Sequence, residues 1–334
     1  MKRGNKKTYL FLTTLVVLQI LLSIDTNAIN ITQGTNKKIL TVDNQGNADF
    51  KSIQKAINSA SPGTTIYVKK GEYPEIITIK KQITIVGENK ENTIINPASQ
   101  KNKYAILIDS SNVLIKNLNI YNKALGRYTT GIRITKSNNQ IENCDIHDTP
   151  VGITIWSSNN KISNTTFHGC KDEGIALIGS NYFKCEQNII TNCVFYNNCD
   201  GIELQHSSSN TITRCEFYNN THTGIDAIAS SNNKNMISNC EIYNNTVHGI
   251  YISSSYDNQI INCEIYDNKE GNIVFNKYLK DNMIKEFETI KNKETTYDNT
   301  KIRSNLQNIL KSLLEKLSKI GISRANNLLK SINF

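Results

Sequence analysis

From Gly131 onward the chain alternates apolar and polar residues in short runs, and the runs recur in phase. Units open on Gly131-Ile132, Gly152-Ile153, Gly174-Ile175, Gly201-Ile202, Gly224-Ile225 and Gly249-Ile250, with steps of 21, 22, 27, 23 and 25 residues. Each then passes a Ser/Asn-rich turn and continues as Ile-x-Asn-Cys-x-Ile-Tyr or a close variant, and the stretch Ala105 to Asn122 reads as one more unit with alanine in the glycine place. A repeat of this length cannot bury its apolar face alone and must stack on its neighbours. Period-2 alternation runs through it, and no run reaches the length of a helix. The pattern predicts an all-β fold, a right-handed parallel β-helix of about ten coils, with neighbouring coils ~4.8 Å apart as in any sheet.

Three apolar columns are expected to point inward. Ile132, Ile153, Ile175, Ile202, Ile225 and Ile250 begin one, Ile115, Ile141, Ile162, Ile190, Ile212, Ile237 and Ile260 form the second, and Ile120, Ile146, Phe167, Phe195, Phe217, Ile242 and Ile265 form the third. Asn117, Asn143, Asn164, Asn192, Asn239 and Asn262, with Arg214 as the exception, share one turn position, where asparagine tolerates left-handed backbone and serves the turn amides. Cys144, Cys193, Cys215, Cys240 and Cys263 fall in one inward column and read as small buried hydrophobes; Cys170, Cys185 and Cys199 lie off it, where a bridge between two of them is open.

The ends differ from the repeat. Residues 1–28 read as an export signal: Lys2, Arg3, Lys6 and Lys7 precede the apolar run Tyr9 to Leu22, and Thr26-Asn27-Ala28 offers small residues for cleavage. The β-helix domain is expected over 29–280. It begins with a capping helix whose Phe50, Ile53, Ala56, Ile57 and Ala60 share a face, with Asp49 as N-cap and Ser61-Pro62-Gly63 as its stop. A linker over 281–300 and an amphipathic helix over 301–334 follow, the latter a carboxy-terminal cap, a self-association element or an attachment to an anionic membrane surface.

The opening segment Asp49-Phe50-Lys51-Ser52-Ile53-Gln54-Lys55-Ala56-Ile57, with Ile66-Tyr67-Val68-Lys69-Lys70-Gly71-Glu72-Tyr73 and Ile83-Thr84-Ile85-Val86-Gly87, resembles that of pectin methylesterases and related pectin lyase-like proteins. The repeats that follow resemble the NosD-type group of carbohydrate-binding and sugar-hydrolase β-helix proteins. The resemblance implies a sugar-acting surface protein, and the NosD likeness raises a metal (copper) delivery role. The esterase's catalytic Gln, Asp-Thr-Leu, Asp-Phe and Arg motifs are missing from the later coils, as are the Asp-Asp and Gly-His-Gly signatures of polygalacturonases, so no catalytic residue is carried over.

Charge modifies this picture a little. The chain carries +9, which falls to +6 without the export signal, a basic balance that suits anionic polymers or surfaces. Export places the protein in the secreted or cell-surface class, and no nucleic-acid motif is present.

With the inside filled, chemistry must lie on outward positions. One outward strip is Tyr121, His147, His168, Tyr196, Tyr218, Tyr243 and Tyr266, which would either stack on sugar rings or brace the sheet by cross-strand contact. The other is the outer face of the glycine strand. It gathers Arg133, Glu203, Asp226 and Tyr251 in one column, Trp156 beside it, and Glu173, Asp200, His222 and His248 at or near the strand starts. Glu203 and Asp226 stand at the same position of consecutive coils, where a glycosidase could use them as acid and nucleophile and where carboxylates could instead hold Ca²⁺. Asp200 joins them as a candidate catalytic group. Trp156, Glu173, His222, His248, Tyr251 and Arg133 are the candidate ligand-binding residues. The expected partner is a polysaccharide that is bound or cleaved, by hydrolase or lyase chemistry; a non-catalytic structural surface protein is the alternative.

Overall fold

The computed structural model describes residues 38–97, 103–124, 126, 129–227, 232–253 and 255–275, and the backbone of 283–285. The expected export signal, most of the linker and the carboxy-terminal helix lie outside these residues.

The described chain is a parallel solenoid. Each turn contributes one strand to each of three parallel sheets of eleven, nine and nine strands, which makes nine full turns where about ten coils were expected. The first sheet runs from Ile39–Val42 to Met283–Lys285, the second from Gly71–Tyr73 to Glu264–Tyr266, and the third from Ile77–Ile79 to Gly271–Phe275. Met283–Lys285 pairs with Gln259–Ile261, so the first sheet continues past residue 280. The register matches the sequence columns: Ile141 pairs with Ile162 in the first sheet, Phe167 with Phe195 in the second, and Ile202 with Ile225 in the third.

The three inward columns form one continuous buried core. Phe167, Phe195 and Phe217 stack face to face inside it at 4.8 and 4.7 Å. Each isoleucine withdrawn from water there contributes roughly 1.5–3 kcal/mol, which is why a repeat of three-residue strands holds together. The glycine near the start of the six third-sheet strands from Thr130–Ile134 to His248–Ile252 has a steric cause. A Cβ at Gly201 would stand 2.5 Å from the Gly224 carbonyl oxygen and 2.6 Å from the Phe217 ring, too close for any side chain.

The turns are built by asparagine. Asn117, Asn143, Asn164, Asn192, Asn239 and Asn262 all have positive φ, as does Arg214, in agreement with the turn role read from the sequence. The longer hydrogen-bonded ladders are elsewhere. The amides of Asn139, Asn160, Asn188, Asn210 and Asn235 each donate to the side-chain oxygen of the asparagine one turn on, ending at Asn258, all at 2.9 Å. A second buried ladder joins Asn198, Asn220, Asn245 and Asn268. These side chains satisfy turn amides that the solenoid removes from water.

Two expectations at the amino end are corrected. The helix spans Ile53–Ser59, and its N-cap is Ser52, whose side chain accepts from the Lys55 amide. Asp49 instead takes the amide and hydroxyl of Thr41, both at 2.8 Å. The Glu75 carboxylate serves the remaining free amides of the first turn, Ile53 at 2.7 Å and Gln54 at 3.1 Å. All eight cysteines are free, including Cys170, Cys185 and Cys199, and the five of the inward column are buried.

Candidate functional site

The third sheet's outer face carries the sequence's candidate column as drawn. Arg133 pairs with Thr154, Thr154 with Ala176, Ala176 with Glu203, Glu203 with Asp226 and Asp226 with Tyr251. One column back, Glu173 pairs with Asp200, and Thr223 with His248. Outward-facing residues of a solenoid should meet solvent. Here they do not: Glu173, Asp200, Glu203 and Asp226 are all buried, Glu203 at 8% and Asp226 at 4% exposure. A solvated polar face is therefore excluded at these positions.

Burial and crowding set the chemistry of these carboxyls. Burial, then a hydrogen bond to Glu203 and its charge, hold the Glu173 carboxyl far above the usual carboxylate range, so Glu173 keeps its proton. Gln205 donates to the Glu203 carboxylate from the same strand. Burial, with the Asp200 and Glu203 charges behind it, pushes Asp226 up to about 7. Burial also raises Asp200, opposed by His222 and the Thr223 amide.

Asp200, His222 and Asp226 form a distinct subset. His222 Nδ1 lies 2.8 Å from Asp200 Oδ1 and 3.9 Å from Asp226 Oδ2, and the Thr223 amide donates to the same Asp200 oxygen at 2.8 Å. One ligand atom from each of the three lies within 4.8 Å of the others, an arrangement able to hold a metal ion. His248 and Tyr251 follow on the next turn, their rings stacked at 5.3 Å. Burial lowers the His248 pKa.

Arg133 and Trp156 are not part of the acid group. Arg133 is three turns from Glu203, ~14 Å at the sheet spacing. Its guanidinium lies over the Trp156 ring at 4.9 Å and over Tyr104 at 5.8 Å, and Phe183 approaches Trp156 at 6.1 Å. The outer face thus has two centres, a buried acid group and an arginine–aromatic group. Tyr104 and Phe183 were not singled out from sequence. The 27-residue unit from Gly174 was the available sign of Phe183, because its extra length is the loop that carries it. Tyr104 opens the strand that pairs with the strand of Arg133 and could have been read from its register.

The second sheet's aromatic strip resolves the other way. Tyr121, His147, His168, Tyr196, Tyr218, Tyr243 and Tyr266 stack in one uninterrupted row with centroids 4.8–5.3 Å apart. Each ring from His168 to Tyr243 has both faces covered by its neighbours, so these rings leave no face for a sugar.

A family model described as a right handed beta helix region matches residues 83–235 and 151–305, which together span two thirds of the chain. No curated protein matches the sequence. Among solved structures the chain is similar to a rhamnogalacturonan lyase (15% identity, TM-score 0.57, 76% of this chain and 90% of that one). It is similar to the A-module of the mannuronan C-5 epimerase AlgE4 of Azotobacter vinelandii (15%, 0.53, 66% and 75%) and to carrot pectin methylesterase (15%, 0.50, 67% and 82%). At that identity the likeness concerns the fold. By fold, repeat and family model, the chain belongs to the right-handed parallel β-helix proteins.

Proposed function

We propose that this is an exported, secreted or cell-surface protein that binds polysaccharide across the outer face of its third sheet and cleaves a glycosidic bond there. The observation that carries the reading is the row of four buried carboxyls on a face that should be solvated. Burying charge on an outer face works against stability, and packing supplies no reason for it. The arginine–aromatic group two to three turns away supports it as a platform for a sugar ring. A bond laid over Glu203 would meet a proton donor in the Glu173–Glu203 pair and charged groups in Asp226, Asp200 and His222 beyond it. The proteins of like fold are named for rhamnogalacturonan, mannuronan and pectin, which favours a polysaccharide over a small sugar. The amino-terminal signal pattern supports export.

The test is a glycan array with the mature protein, followed by product analysis of every glycan bound. New reducing ends or unsaturated products are expected, and Glu203→Gln with Asp226→Asn should lower turnover at least ~100-fold, the scale of lost acid–base groups. Binding without product would reduce the reading to a non-catalytic binding protein. A double variant that binds and turns over like the parent would remove this face from consideration.

A further inference from the structure

The geometry points to a first-row divalent cation site of the zinc type, made by Asp200, His222 and Asp226. Ligands held tetrahedrally by one such ion at ~2.0–2.2 Å stand roughly 3.3–3.6 Å from one another. His222 Nδ1 is 2.8 Å from Asp200 Oδ1 and 3.9 Å from Asp226 Oδ2, so small side-chain movements bring all three onto one ion.

The triad alone would be one more acidic group around a histidine. A second observation points to a missing ligand. Asp226 is 4% exposed, and its Oδ1 has no hydrogen-bond partner among the described residues. Thr223 Oγ1 and His248 Nδ1, on residues paired between neighbouring strands, are likewise buried without one. Buried polar atoms are nearly always satisfied, and a carboxylate oxygen left alone is among the most costly exceptions. The Asp226 oxygen, on a residue of the triad itself, marks a place where something positive or hydrogen-bonding belongs.

The surroundings suit an ion. The Thr223 amide fixes the Asp200 carboxylate, as outer groups orient metal ligands. The His222 side chain is 44% exposed, so the ion has an entry path and an open coordination position for water or a hydroxyl. A doubly charged cation would neutralise the two aspartates.

The donor set selects the ion. An imidazole nitrogen with two carboxylates suits zinc and its first-row neighbours. Ca²⁺ takes six to eight oxygens, and here one of the three donors is nitrogen. The Ca²⁺ expected from carboxylates alone thus gives way to a zinc-type ion once His222 is placed between them. This inference goes beyond the polysaccharide reading and is measured without any glycan.

The test is calorimetric titration of the full chain, stripped with chelator, against Zn²⁺, Mn²⁺ and Ca²⁺, with a thermal melt for each. One equivalent of Zn²⁺ should bind with Kd tighter than ~10 μM and raise Tm. Asp226→Asn and His222→Gln should each weaken it at least ~10-fold; the half-exposed His222 gives a variant that folds whatever Asp226 does. Co²⁺ substitution should give a spectrum without thiolate charge transfer, which separates this site from the eight cysteines. No saturable Zn²⁺ or Mn²⁺ binding to folded protein, Zn²⁺ affinity unchanged in both variants, a thiolate spectrum, or tighter Ca²⁺ than Zn²⁺ would each overturn the assignment.

Discussion

The outer faces of the second and third sheets come from the same repeat, at the same spacing, with polar and aromatic residues on both. They differ in how their polar atoms are served. On the second sheet Tyr243 donates to Glu216 at 2.7 Å and Tyr266 to Glu241 at 2.6 Å, and the rings cover one another. Glu216 and Glu241 are only half-buried, and water reaches them. On the third sheet four carboxyls are buried against one another, and Asp226 keeps an unpartnered oxygen. The first face is explained by stability. The second opposes stability, and natural chains keep such sites where a ligand or a reaction needs them.

The sharpest way to break this comparison is a pair of variants with opposite expected signs. Tyr218→Ala removes a ring stacked on Tyr196 and Tyr243 and should destabilise the fold by about 1–3 kcal/mol, at roughly 0.5–1.5 kcal/mol per aromatic contact. Asp226→Asn removes a charge from beside Asp200 and Glu203 and should stabilise the metal-free fold by about 1–2 kcal/mol. Urea unfolding in chelator measures both. Two destabilisations of similar size would mean that the third face is structural too.

Much of this contrast was legible in the sequence, and the limit is physical. A period-2 pattern fixes which side chains point in or out, so the core columns, the in-register Glu203–Asp226 pair and the aromatic row could all be placed. Positive φ at the Asn117 column followed from turn chemistry. The pattern says which way an outward residue points and nothing of how closely its neighbours on adjoining turns crowd over it. That is why the outward placement of Glu203 and Asp226 could be read and their burial could not. The N-cap was misplaced for a similar reason: Asp49 and Ser52 are both capping residues, and Glu75, some twenty residues on, supports Ser52. The two buried asparagine ladders were hidden in the Ser/Asn-rich turns, where composition marks a turn without telling which asparagine points inward.

A second test uses pH. Unfolded, Asp226 would release its proton near 3.8; folded, it holds it to about 7. Between these values the folded chain carries more protons, so stability should fall as pH rises from ~4 to ~7 and stop changing for this group above that. Asp200 and Glu173 are shifted the same way, and Glu173 extends the decline to higher pH. His248, whose pKa is lowered, opposes them by gaining stability as pH rises towards its ordinary value. The net loss should exceed about 1 kcal/mol in chelator, the equivalent of roughly one pKa unit. Melts from pH 4 to pH 7 check it, and Asp226→Asn should flatten the slope. Stability that rises across this range would contradict the buried acid group.

The smallest effect belongs to the second face. Tyr243→Phe keeps the ring, and hence both stacking contacts, and removes only the hydroxyl that donates to Glu216. Glu216 is half-buried, so water can replace that hydroxyl. The loss should be about 0.5–1 kcal/mol, the net value of one hydrogen bond, and no buried group is left unpaired. Because both ring faces are covered by Tyr218 and Tyr266, the substitution should leave glycan binding unchanged. Equilibrium unfolding beside glycan affinity decides the point. A stability loss with unaltered affinity is the signature of a brace. An affinity loss exceeding the stability loss would move sugar binding onto the second face and dissolve the contrast between the two.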